Sequence, residues 1–106
     1  MFYEFRQYTI KGGKRNEWVK FMEEEIIPFQ VSKGMVILGS FIDEEDDKTY
    51  YWIRRFKNEK DRERLYKKVY ESDHWVNYLA PITGKLIDKK TIKVKRIVPT
   101  PRSVVQ

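Results

Sequence analysis

The sequence predicts a ferredoxin-like α+β fold, a four-stranded antiparallel sheet with two helices on one face. Three observations lead there. Apolar periodicity alternates along the chain in the order strand, helix, strand, strand, helix, strand. The middle two strands are joined by a short acidic segment, as in a hairpin. At 106 residues the chain has material for one core and little beyond it, so residues 1–106 are read as a single domain.

Each element has its own signal. Residues 2–10 are rich in aromatic and β-branched types and read as the first strand, broken by Gly12 and Gly13. A helix is expected over 14–32, where Trp18, Phe21, Met22, Ile26 and Phe29 recur every three or four residues as one apolar stripe. Pro28 lies inside that stripe and predicts a kink or an early stop near Ile27. Gly34 is placed to be the left-handed residue that ends the helix. Residues 35–42 and 50–56 read as the second and third strands, with the hairpin over 43–49. Asn58 is an N-cap candidate with Asp61 three residues on, and the second helix runs to about Tyr70 with Leu65, Tyr66, Val69 and Tyr70 inward. A looser helical stretch over 73–79 precedes Pro81, residues 82–88 are expected to be irregular, and 91–98 form the last strand before Pro99 and Pro101.

Side chains alternate along a strand, so parity sorts them by face. Tyr3 and Phe5 share one face of the first strand, and Glu4, Arg6 and Tyr8 the other. On the third strand Tyr51 and Ile53 oppose Tyr50, Trp52, Arg54 and Phe56. With Tyr3, Phe5, Tyr51 and Ile53 taken as the helix-facing layer, the remaining surface mixes large aromatics with charges. A soluble monomer seldom leaves such a patch in water. Two copies paired through it would enclose a polar-lined cavity, so a homodimer is expected.

Composition removes several function classes. Cysteine is absent, which excludes disulfides and thiol chemistry and suits a reducing compartment. No apolar run is long enough to span a bilayer, and the first residues lack the build of a secretion signal, so a cytoplasmic protein with no membrane partner is expected. One histidine and no cysteine give no support for a metal site. The acidic run Asp43–Asp47 lacks the glycine and the closing glutamate of an EF-hand loop and reads as a solvated turn. A net charge of +6 suits anionic partners as well as plain solubility.

Beyond composition, the chain resembles the NIPSNAP-type domains of the dimeric α/β-barrel superfamily. The residues that carry the likeness are Tyr3-Glu4-Phe5-Arg6-Gln7-Tyr8-Thr9-Ile10, then Gly13-Lys14 with Glu17-Trp18, and Gly39 with Phe41. They continue with Trp52-x-Arg54-x-Phe56, Arg62-Glu63-Arg64-x-x-Tyr66, Trp75 and the Val98-Pro99-Thr100-Pro101 tail. The resemblance implies the βαββαβ fold and a homodimer, and leaves the reaction open. The superfamily also holds cofactor-free oxygenases and haem degraders. The haem degraders resemble one another in a first-strand Asn, a second-helix Trp and a following His. Here those places hold Gln7, Val69 and Tyr78, which counts against haem breakdown, and no cofactor is expected.

The chemistry-bearing candidates follow from that frame. Glu4, Arg6 and Arg54 share one parity beside Tyr8 and Trp52. A Glu–Arg pair with a spare guanidinium would clamp a small carboxylate or phosphate, with Tyr8 and Trp52 packing on it. The same residues could equally be an ion-pair network that binds nothing. His74 beside Trp75, or Glu4, is the candidate proton carrier for an oxygenase-like or isomerase-like step, and whether the protein is an enzyme stays open. The alternative is an RNA-recognition-motif-like module, which has the same element order and stacking aromatics on the third strand, here Tyr50 and Trp52. That signature's glycines are missing, its last aromatic position holds Arg55, and Glu4 would repel phosphate, all of which weigh against nucleic acid.

Overall fold

The computed structural model describes residues 1–106 as a four-stranded antiparallel sheet in the order β2-β3-β1-β4, with the helices on one face. Strand β1 is Phe2–Thr9, β2 is Val36–Ile42, β3 is Thr49–Phe56 and β4 is Lys93–Ile97. The helical layer comprises α1 (Arg15–Phe21), α2 (Ile27–Ser32), α3 (Glu59–Tyr70) and α4 (Ala80–Leu86). The ferredoxin-like class expected from the sequence is the one observed. Asn58 Oδ1 accepts from the Asp61 backbone N–H at 2.8 Å and caps α3, and Gly34 ends α2 at φ +106°.

The prolines behave differently from expectation, and in the same way twice. The first helix neither stops nor breaks at Pro28. A π turn over Met22–Ile26 joins α1 to α2, its Ile27 N–H reaching back to the Met22 carbonyl. A second π turn, Trp75–Leu79, leads into α4, with the Ala80 N–H bonded to the Trp75 carbonyl. Each wide turn leaves its proline in the first turn of the next α segment, where a missing N–H costs nothing. Residues 82–88, expected to be irregular, therefore lie largely in α4. The last strand is shorter than expected because Lys89–Thr91 form a 3₁₀ turn held by Asp88.

The larger correction concerns the faces of the sheet. The parity reading holds, since β3 alternates strictly between half-buried odd residues and buried even ones. The assignment of faces is inverted. Tyr50, Trp52, Arg54 and Phe56, with Glu4 and Tyr8, lie beneath the helices. Tyr3, Phe5, Tyr51 and Ile53 lie on the face without helices. The four β3 residues of the inner set outsize their alternates, and α3 supplies the phenols that make burial of Arg54 tolerable. A cavity between paired sheets, walled by Glu4, Arg6 and Arg54, is therefore excluded. The RNA-binding alternative loses its stacking platform for the same reason, because Tyr50 and Trp52 are closed to solvent.

Arg54 also divides the interior. On its Trp52 side lies an eleven-residue apolar cluster that includes Trp18, Tyr50, Leu79 and Ile87. On its Phe56 side lies a smaller one of Met35, Phe56, Leu65 and Val69. The charged group sits at the seam.

Candidate functional site

The seam is a network of charges around one carboxylate. Register pairs Glu4 with Arg54 across β1 and β3, and Arg6 with Trp52. Arg54 Nη2 donates to Glu4 Oε1 at 2.8 Å and to the Tyr66 hydroxyl at 2.7 Å. Its Nη1 donates to Gln30 Oε1 at 2.9 Å and to the Tyr70 hydroxyl at 2.7 Å. Arg62 Nε donates to Glu4 Oε2 at 2.8 Å, and the Tyr66 hydroxyl lies 2.8 Å from both carboxylate oxygens. Arg6 Nη1 reaches Glu4 Oε1 at 3.3 Å while its Nε donates to the Tyr8 hydroxyl at 3.0 Å. Aromatic rings complete the box. The Arg54 guanidinium carbon lies 4.8 Å from the Trp52 ring centre and 5.1 Å from that of Tyr66, within cation–π range.

The electrostatics follow from that geometry. Burial alone would raise the Glu4 carboxyl, but the Arg54 charge and the bonds from Arg62, Tyr66 and Arg54 outweigh it and hold the group at about 2. Burial works against the Arg54 charge, yet Tyr70, Tyr66 and Glu4 more than compensate and push its value up. Burial likewise lifts the Tyr66 phenol to about 12, so it stays protonated as a donor. Glu4 is thus a fixed anion at neutral pH and a weak proton acceptor. Its place in the network is that of a counter-ion.

Of the sequence candidates, Glu4, Arg6, Tyr8, Trp52 and Arg54 are brought together, though under the helices. His74 is not among them. It is exposed at the start of the second π turn, its ring 4.9 Å from that of Phe29 and stacked 5.2 Å from that of Tyr78. Sequence reasoning missed Arg62 and Gln30. Arg62, Tyr66 and Tyr70 recur at intervals of four, which would have placed all three on one face of α3. Gln30 follows Ile26 by four residues on the same helix side.

The NIPSNAP family model matches residues 3–103. The chain belongs to the NIPSNAP family. Solved relatives agree in fold. A NIPSNAP family protein from Agrobacterium tumefaciens is 25% identical, with a TM-score of 0.86 over 99% of this chain and 98% of that one. Another A. tumefaciens protein is 27% identical over the whole of both chains, with a TM-score of 0.89. An antibiotic biosynthesis monooxygenase superposes with a TM-score of 0.67 over 95% of this chain and 100% of that one, and at 17% identity that likeness is one of fold. No curated protein matches. No helix of this NIPSNAP domain is long and apolar enough to cross a membrane.

Proposed function

We propose that this NIPSNAP protein is a homodimer that binds a small anionic molecule, with Arg6 as the residue that meets it. One observation carries the reading: Arg6, Arg54 and Arg62 all converge on Glu4, a single carboxylate. Arg62 has a second partner in Glu59 at 3.4 Å, which leaves the pair Arg6 and Arg54 sharing one negative charge. A carboxylate or phosphate at Arg6 supplies the missing negative charge.

Access favours Arg6 over Arg54. The Arg54 side chain is fully enclosed, whereas that of Arg6 keeps 13% of its surface. It lies opposite Val94 of β4, a strand the helices leave uncovered. Arg54 and Trp52 then act from behind, fixing Glu4 and the Tyr8 side of the site, and the aromatic wall suits a ligand with a flat body. The chemistry offered is binding and orientation. Location in the cytoplasm is part of the same reading, consistent with a chain that needs no disulfide.

The test is a thermal-shift titration with benzoate and 1-naphthoate against the neutral amide benzamide. The carboxylates should stabilise the protein in a saturable way, benzamide should not, and Arg6→Gln should remove the response. Equal shifts from acid and amide, or a response untouched by Arg6→Gln, would remove Arg6 from the site.

A further inference from the structure

The hydrogen-bond donors around Arg6 are unevenly used, and the imbalance bears on the kind of anion that fits there. Tyr66 is fully committed, since its hydroxyl donates to Glu4 and accepts from both Arg54 and Arg6. Tyr8 and Tyr70 are not. The Tyr8 hydroxyl accepts from Arg6 Nε at 3.0 Å, and its own proton has no acceptor in the protein. The Tyr70 hydroxyl accepts from Arg54 Nη1 at 2.7 Å and from Gln30 Nε2 at 3.3 Å, and it too donates to no protein group. Arg6 makes its bonds through Nε and Nη1, which leaves Nη2 without a protein partner. Tyr70 lies near enough to act electrostatically on both Arg6 and Tyr8, so the three unspent donors share one neighbourhood. Tyr8 is buried and Tyr70 half-buried, where an idle donor is costly.

Strong acceptors are in the opposite state. Glu4 Oε1 already takes bonds from Arg54, Arg6 and Tyr66, and Oε2 takes bonds from Arg62 and Tyr66. Gln30 Oε1 is taken by Arg54 and enclosed with it. A ligand that brings its own O–H finds no free carboxylate or amide oxygen to receive it. Charge sets a second condition. Arg62 and Arg96 hold Glu59 between them at the surface, where charges are screened. The enclosed part of the network is then two guanidiniums, Arg6 and Arg54, against the one carboxylate of Glu4, an excess of one positive charge. We infer that the site at Arg6 selects an oxyanion with one charge and no proton, a carboxylate or sulfonate, held by Arg6 Nη2 and the hydroxyls of Tyr8 and Tyr70. The inference rests on the reading of Arg6 as the residue that meets the anion. A phosphate monoester meets only one of the two conditions at a time. Below its second pKa, about 6, it keeps an O–H, and above it the second charge exceeds what the site offers.

The probes share one ring system and differ in the anion: 1-naphthoate, 1-naphthalenesulfonate and 1-naphthyl phosphate. Each is titrated calorimetrically at about pH 5 and about pH 8, on either side of the phosphate's second ionisation. The carboxylate and the sulfonate should bind at both pH values, and the phosphate about 10-fold more weakly at each. Tyr8→Phe and Tyr70→Phe remove only hydroxyls and should each weaken 1-naphthoate about 10-fold, the effect of one hydrogen bond to a charged group. Tyr70 also serves Arg54, so Tyr8→Phe decides the matter if Tyr70→Phe does not fold. Naphthyl phosphate that binds as tightly as 1-naphthoate at either pH, or 1-naphthoate affinity unchanged by Tyr8→Phe, would overturn the selectivity. Arg6→Gln separates the two levels of failure. If it abolishes 1-naphthoate binding while those results go against the selectivity, Arg6 keeps its place and only this inference falls. If wild type does not bind 1-naphthoate, or Arg6→Gln binds it unchanged, both fall together.

Discussion

Arg54 Nη2 and Glu4 Oε1, 2.8 Å apart, join the two central strands of the sheet through side chains that are 0% and 1% exposed. Pairs this deeply buried are held by their hydrogen bonds as much as by attraction, because removing charge from water costs several kcal/mol per ion. Here much of the cost is offset by donors to Glu4 and acceptors for the Arg54 Nη atoms, Arg54 Nε alone lacking a partner. Arg6, Arg62 and Tyr66 also serve Glu4, and Gln30, Tyr66 and Tyr70 serve Arg54.

The first prediction concerns acid. The Glu4 carboxyl is lowered from 4.5 to about 2, so its folded form prefers to be ionised. A depressed carboxyl contributes stability above its unfolded value and loses it as pH falls through the folded one. The unfolding free energy should hold steady from pH 7 to about 5, then drop by about 3 kcal/mol towards pH 2. Asp43, Asp46 and Asp61 are lowered as well, but they lie at the surface and are screened. Urea denaturation of wild type and Glu4→Gln at several pH values tests the assignment. The variant should be less stable at pH 7 and much flatter below pH 5, and an unchanged slope would exonerate Glu4.

Tyr66→Phe should expose how much of this rests on one hydroxyl. That oxygen donates to Glu4 and accepts from Arg54 at 2.7 Å, so its loss leaves two charged groups short of a partner. A loss of about 2–3 kcal/mol is expected at pH 7, with native circular dichroism. In an Arg54→Met background the same substitution should cost much less, because the two residues act through one network. Additive losses would mean that the network is not coupled.

Much of this architecture was legible in the sequence, and the part that was not has a physical reason. Element order, the Asn58 cap and the Gly34 turn are set by local chemistry, so they could be read locally. Strand parity was equally plain, since Glu4 and Arg54 had to share a face. Which face it was depended on partners distant in sequence, namely Tyr66, Tyr70 and Gln30. A strand carrying Trp52 and Arg54 reads as an exposed binding surface unless those phenols are known to be waiting for it. The π turns escaped notice for a similar reason: Pro28 and Pro81 announce interrupted hydrogen bonding, but not whether the chain stops or widens.

Gly34 offers a test of the local kind. It combines φ +106° with crowding, since a Cβ there would lie 3.1 Å from Leu65 Cδ2. Gly34→Ala meets strain from its own backbone and a neighbour on α3 that must shift. We expect a loss of more than about 1 kcal/mol, read as a lower denaturation midpoint with unchanged cooperativity. Gly12→Ala, with nothing within 4 Å of its Cβ and no positive φ, is the matched control and should be nearly silent.

The homodimer is the prediction with the widest consequence, and its argument now rests on the other face of the sheet. Val36, Leu38, Phe41 and Ile97 are large apolar residues at least 39% exposed, and they flank the half-buried Phe5, Tyr51 and Ile53. Phe41 lies directly over Gly39, so one face of its ring is already against backbone and the other is free for a partner. Exposed large apolar side chains gathered on one sheet face mark an interaction surface. Sedimentation equilibrium should give twice the 13.0 kDa chain mass. Phe41→Glu should yield a folded monomer, because position 41 lies outside the core and a carboxylate on a paired face would be buried without a partner. A wild type that sediments as one chain would rule out pairing through this face. A Phe41→Glu protein that remains dimeric would move the contact elsewhere on the molecule.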